Sequence, residues 1–133
     1  MLAVEIRILV YAAILLLVHI MVEGYYKTKQ YGREWNMGAR DEALPPADPM
    51  VGRLGRARAN YMETLPIAII ALLGVVIGGK AGFWTGLGGW IWLGARVIYL
   101  PLYWAGVPRL RSLVWAAGMI GLAIVIWPLL WSS

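Results

Sequence analysis

Asp48-Pro49-Met50-Val51-Gly52-Arg53-Leu54-Gly55-Arg56-Ala57-Arg58-Ala59-Asn60-Tyr61-Met62-Glu63-Thr64 is the stretch on which the reading of this chain turns. Arg53, Arg56, Asn60 and Glu63 follow one another at intervals of three, four and three residues. At 3.6 residues per turn they fall within an arc of about 80°, a single polar stripe on one helix face. The segment that carries the stripe, 51–77, is otherwise apolar, and a bilayer core needs about 20 such residues in helical form. An ionisable side chain inside a span costs about 2.5–3.5 kcal/mol on insertion scales, so it is expected to face the bundle interior and to have a partner.

The rest of the chain agrees with a membrane setting. Of 133 residues, 61% are hydrophobic and 14% charged, against roughly 45–50% and about 25% in soluble domains. There is no cysteine, which removes disulfides, thiolate metal sites and a cysteine nucleophile. The single histidine, His19, has no partner at ligand spacing, so no metal site is expected. It reads as a packed or hydrogen-bonded interior residue. The net charge of +5 does not call for a nucleic-acid partner, because the basic residues cluster beside the membrane segments.

Three further segments, 6–26, 83–104 and 110–131, are also expected to span, giving one domain of four transmembrane helices. Pro45, Pro46 and Pro49 precede the second span, Gly78-Gly79 follow it, and Gly106 and Pro108 separate the last two. The first segment reads as an uncleaved span, with Glu5 at its front and no small-residue cleavage site after it. Lys27, Lys29, Arg33, Arg40, Arg53, Arg56 and Arg58 lie in or beside the first connection, and Arg109 and Arg111 beside the third. Only Arg7 and Lys80 lie on the other side. The positive-inside rule therefore predicts that the first and third loops are cytoplasmic and both termini opposite.

A second stripe, Arg96, Tyr99 and Tyr103, occupies one face of the third span. Two polar stripes on neighbouring helices predict a shared pocket at the cytoplasmic end of the bundle. A simpler account makes Arg53, Arg56 and Arg58 interfacial anchors, and Glu63 with Arg96 an ion pair that only fixes packing. Glu23, at the end of a span, reads as solvated.

The 48–66 segment resembles the signature of the membrane-associated proteins in eicosanoid and glutathione metabolism, in the order R-x-x-R-A-x-x-N-x-x-E followed by an apolar helix with proline. Arg96-x-x-Tyr99-x-x-x-Tyr103 and Arg111-Ser112 are similar to its later motifs. The resemblance implies a homotrimer with glutathione held between adjacent subunits near the cytoplasmic face. It assigns Arg53, Arg56, Asn60, Glu63, Arg96, Tyr99, Tyr103 and the first-helix Lys27 to glutathione binding. Arg111 matches the arginine beside the glutathione sulfur, with Ser112 next to it. Ala59 and Tyr61 depart from the prostaglandin E synthase branch, whereas Tyr99 resembles the leukotriene C4 synthase branch. The interval from Tyr103 to Arg111 fits each branch only with a gap, which leaves Arg109 as the alternative to Arg111.

The residue chemistry is compatible with that ligand. Glutathione carries two carboxylates, an ammonium and a thiol. Arginine forks suit the carboxylates, Glu63 the ammonium, and Asn60 offers both a donor and an acceptor. The expected function is activation of the thiolate for attack on a lipophilic small molecule, an electrophile or peroxide, arriving from the bilayer. The alternative is a non-catalytic lipid- or glutathione-binding protein resembling five-lipoxygenase-activating protein. A four-helix proton-coupled exporter would need a carboxylate in the middle of the first span, where this chain has none.

Overall fold

The computed structural model describes residues 1–131. It is all-helical, with no strand among the described residues. The elements are α1 (Val4–Tyr31), the short α2 (Arg33–Met37), α3 (Pro49–Ile77), α4 (Phe83–Ala105) and α5 (Pro108–Leu130). Local chemistry sets the ends. Pro49 and Pro108 occupy the first turns of α3 and α5, where a missing N–H costs nothing. Gly32 and Gly106 stop α1 and α4 at φ values of 97° and 74°, a region that side-chain-bearing residues rarely adopt.

Three helices, α1, α3 and α5, are long and apolar enough to cross a membrane. The sequence predicts four spans. Although α4 has the same 23-residue length as α5, it carries Arg96, two tyrosines and five of its residues as glycine or proline, and these lower its hydropathy. The outward faces of the apolar helices present Leu17, Met21, Ile70, Leu113 and Ile120. Such faces suit hydrocarbon rather than water. Pro66, Pro101 and Pro128 lie inside helices, which is common where neighbouring membrane helices support the backbone.

The core runs through all four long helices: Ile8 and Ala12 from α1, Tyr61, Leu72 and Val75 from α3, Trp92 from α4, Leu122 and Val125 from α5. α4 and α5 form the closest pair. A Cβ on Gly88 would stand 2.6 Å from the Gly121 carbonyl oxygen, and one on Gly121 equally close to the Gly88 carbonyl. Small residues replace the hydrophobic effect as the means of helix association in lipid. This tight hairpin brings the end of α4 and the start of α5, with Tyr103 and Arg111, beside the start of α3. The connection between α2 and α3 is tied down as well. Gln30 Nε2 and the Tyr31 hydroxyl donate to the Pro46 and Pro45 carbonyls at 3.0 Å each, and the Asp48 N–H donates to Gln30 Oε1 at 2.8 Å.

Candidate functional site

The polar residues of α3 divide between two sides of that helix. Towards α4 and α5, the cations gather around one ring. The Arg111 guanidinium carbon lies 4.6 Å from the centre of the Tyr103 ring, and that of Arg56 lies 6.0 Å from the same centre. Gly52 makes room for Arg56, since a Cβ there would meet its Nη1 at 3.1 Å. Arg53 is anchored behind them. Its Nη1 donates to the Trp104 carbonyl at 3.1 Å, and its guanidinium packs on Gly106. Arg53, Arg56, Tyr103, Gly106, Pro108 and Arg111 line a cavity of about 240 Å³, with three cations and no carboxylate among its walls.

A buried layer supports this cluster from within. Tyr99 packs edge-on to Tyr103 at 5.5 Å, and Arg96 lies 4.3 Å from the Tyr99 ring and 5.3 Å from Tyr61. Arg96 is fully buried. Its Nη1 donates to Asn60 Oδ1 at 2.8 Å, so the pairing with Glu63 that the sequence allows is replaced by one with Asn60. Fully enclosed, Arg96 supports the site rather than lining it. Tyr61 is stacked between His19 and Trp92, at 5.0 and 6.0 Å, and its hydroxyl donates to the Ala12 carbonyl at 2.6 Å. His19 is packed, as expected, but through its ring face.

The stripe does not converge inward along its whole length. Arg56 and Glu63 are exposed, while Asn60, Tyr103 and Arg111 are partly covered. Seven residues of helix rise separate Arg56 from Glu63 by roughly 10 Å, so the outer face of α3 presents a cation and an anion at that spacing.

The other side of α3 faces α1 and is charge-balanced. Arg58 Nε donates to Glu23 Oε2, a second Arg58 nitrogen lies 3.4 Å from Oε1, and Lys27 Nζ lies 3.2 Å from the same oxygen. Glu23 is only 5% exposed, which overturns its reading as a solvated residue. Gly55 allows this approach, because a Cβ there would meet Glu23 at 3.3 Å. Arg58 is thereby an interhelical partner as well as an end-of-span cation. Lys27 belongs to this side too. It lines a separate cavity of about 330 Å³ with Glu23, Trp35, Arg40 and Arg58, away from the Tyr103 cluster.

The model of the MAPEG family matches residues 8–131. The chain belongs to the MAPEG family. It is accordingly an integral membrane protein of the glutathione and eicosanoid family. No curated protein and no solved structure matches it.

Against the family pattern, the chain brings Arg53, Arg56, Tyr103 and Arg111 together in one cavity and holds Asn60, Arg96 and Tyr99 directly behind it. Glu63 and Lys27 lie apart from that cavity, on the outer face and on the α1 side. Of the two α5 arginines, Arg111 meets the aromatic ring, while Arg109 is exposed. The Ser112 hydroxyl donates to the Pro108 carbonyl of its own helix at 3.2 Å, so its proton is already engaged. The Glu23–Lys27 half of the α1 network has a sequence signal, an i,i+4 pair of opposite charge. Its interhelical half, Arg58, has none.

Proposed function

We propose that the chain is a glutathione-dependent membrane enzyme that binds the tripeptide on the α3–α4–α5 side and activates its thiolate. The thiolate then attacks a lipophilic electrophile or peroxide arriving from the bilayer. The observation that carries this reading is the gathering of Arg56 and Arg111 on Tyr103, with Arg53 beside them and no acid among the walls. Three guanidiniums packed together repel one another. An anionic ligand turns that repulsion into attraction, and planar forks suit carboxylates in particular.

The thiolate is the nucleophilic form of the sulfur. A guanidinium about 4 Å from it, at an effective dielectric near 20, favours the charged form by roughly 4 kcal/mol, or about a thousandfold, before desolvation takes part of that back. Arg111 is assigned this role in preference to Arg109, because it is held against Tyr103. Arginine does not deprotonate, so the thiol proton leaves to solvent.

The reading extends to assembly. Arg56 and Glu63 on the outer face of a membrane helix would face lipid in an isolated chain. The cost is about 2.5–3.5 kcal/mol for an ionisable side chain at the bilayer centre and smaller towards the span end, where Arg56 lies. A homotrimer covers that face and brings Lys27 of a neighbouring copy towards the cavity. We also take α4 as a fourth span, packed on α3 and α5 along one face and presenting Trp90, Val97 and Ile98 on the other, with the first and third loops cytoplasmic.

Calorimetry with glutathione, together with ultraviolet absorbance of the thiolate in wild type, Arg111→Ala and Arg109→Ala, tests the proposal. Binding with a thiolate signal lost only in Arg111→Ala is the expected result. Binding without any thiolate signal in wild type would instead establish a non-catalytic lipid- or glutathione-binding member of the family. No glutathione binding at all sinks the proposal and leaves only a lipid-binding role.

A further inference from the structure

At the end of the bundle away from the arginine cluster, the start of α1 and the start of α4 enclose a groove of about 540 Å³, lined by Val4, Glu5, Phe83, Gly86, Leu87 and Trp90 among others. Its walls are apolar apart from one carboxylate. Glu5 is 3% exposed, and its Oε2 accepts a hydrogen bond from the Thr85 hydroxyl at 2.7 Å. That hydroxyl has a single proton, and the Gly82 carbonyl competes for it at 2.9 Å. A carboxylate has about four acceptor positions, and Thr85 is the one side chain that donates to Glu5 among the described residues. No cation forms an ion pair with it among the described residues, whereas the other buried carboxylate, Glu23, has two. A buried charge without a counterion is strongly disfavoured.

We propose that this groove is a binding site for a lipophilic amine, with its ammonium on Glu5 and its hydrocarbon chain against Phe83, Leu87 and Trp90. An ammonium supplies both things that the carboxylate lacks, opposite charge and several N–H donors. The aromatic walls add to this, since ring faces attract cations. Gly86 keeps the flank of Glu5 open. A Cβ there would already stand 3.9 Å from Oε2, and any longer side chain would project into the space the head group needs. Phe83 and Trp90 are 74% and 43% exposed, so the groove is open at its aromatic wall, which suits a ligand that enters from the bilayer with its head at the interface. A fatty acid is repelled by Glu5, and an alcohol leaves the charge unmatched. The site shares no residue with the Tyr103 cluster, so it stands whether or not that cluster binds glutathione.

The test is saturable binding of radiolabelled dodecylamine to the full chain in nanodiscs of zwitterionic lipid, measured above the partition into empty discs. Dodecanol serves as the uncharged competitor. Wild type should bind saturably, and dodecanol should not displace the amine. Glu5→Gln preserves size and the Thr85 contact but removes the charge, and should weaken binding about tenfold or more. Phe83→Ala alters an exposed side chain and should weaken it by about threefold. Gly86→Leu, which fills the groove beside an intact carboxylate, should abolish it. It also carries the test if helicity and melting show that Glu5→Gln has not folded. The proposal is overturned by non-saturable uptake equal to empty discs, by displacement with dodecanol as effective as with unlabelled amine, or by unchanged affinity in folded Glu5→Gln or in folded Gly86→Leu.

Discussion

Arg56 and Arg58 stand two residues apart on α3 and point about 200° apart around it, and their surroundings differ in kind. On the α1 side, Arg58 and Lys27 share Glu23, and the charges of that face close within one chain. On the α4–α5 side, Arg56 and Arg111 share an aromatic ring, and no acid answers them within their cavity. The first arrangement holds helices together. The second leaves positive potential for something else to neutralise. One helix thus carries an arginine paired with acid and an arginine without one in its cavity, separated by a single residue, and the packing around each, not its identity, makes the difference.

The largest test of this contrast is removal of a cation from the open side. Arg111→Ala should lower the acid dissociation constant of the bound glutathione thiol by about a hundred- to a thousandfold, read as a shift of the thiolate absorbance titration to higher pH, while leaving the melting temperature almost unchanged. A melting change as large as the functional one would erase the distinction between the two faces. Next in size is the closed side. Glu23→Gln should destabilise the fold by about 2 kcal/mol, less than a fully buried pair would, because Arg58 and Lys27 remain partly exposed. Detergent thermal denaturation would show this, and the exchange Glu23→Arg with Arg58→Glu should restore much of the loss. Failure of the exchanged pair to recover would mean that the geometry, not the charge, is being read.

Smaller effects sharpen the boundary between the faces. Arg53→Ala removes the hydrogen bond to the Trp104 carbonyl and should cost about 1 kcal/mol of stability, with weakened glutathione affinity alongside, since Arg53 belongs to both the wall and the anchor. Ser112→Ala should be nearly silent, within about 0.5 kcal/mol by stability or thiolate absorbance. Its hydroxyl already donates to Pro108. A large loss of thiolate in Ser112→Ala would restore Ser112 as a donor to the sulfur.

Periodicity and composition were enough to make the chain helical and membrane-embedded, because an apolar run of some 20 residues has few alternatives in lipid. The polar stripe of α3 was equally legible, since helical spacing fixes which residues share a face. Helix spacing places residues on a face but does not say what that face meets. Hence Glu23 reads as solvated in the sequence and is enclosed in the fold, and Arg96 pairs with Asn60 rather than Glu63. That Arg111 rather than Arg109 meets Tyr103 likewise rests on how the start of α5 is turned against the end of α4. The sequence by itself determined which groups are charged and on which helix face they stand. Only the tertiary structure decided which charges are cancelled and which remain, because electrostatic energy depends on distance across helices, and no spacing within one helix contains that distance.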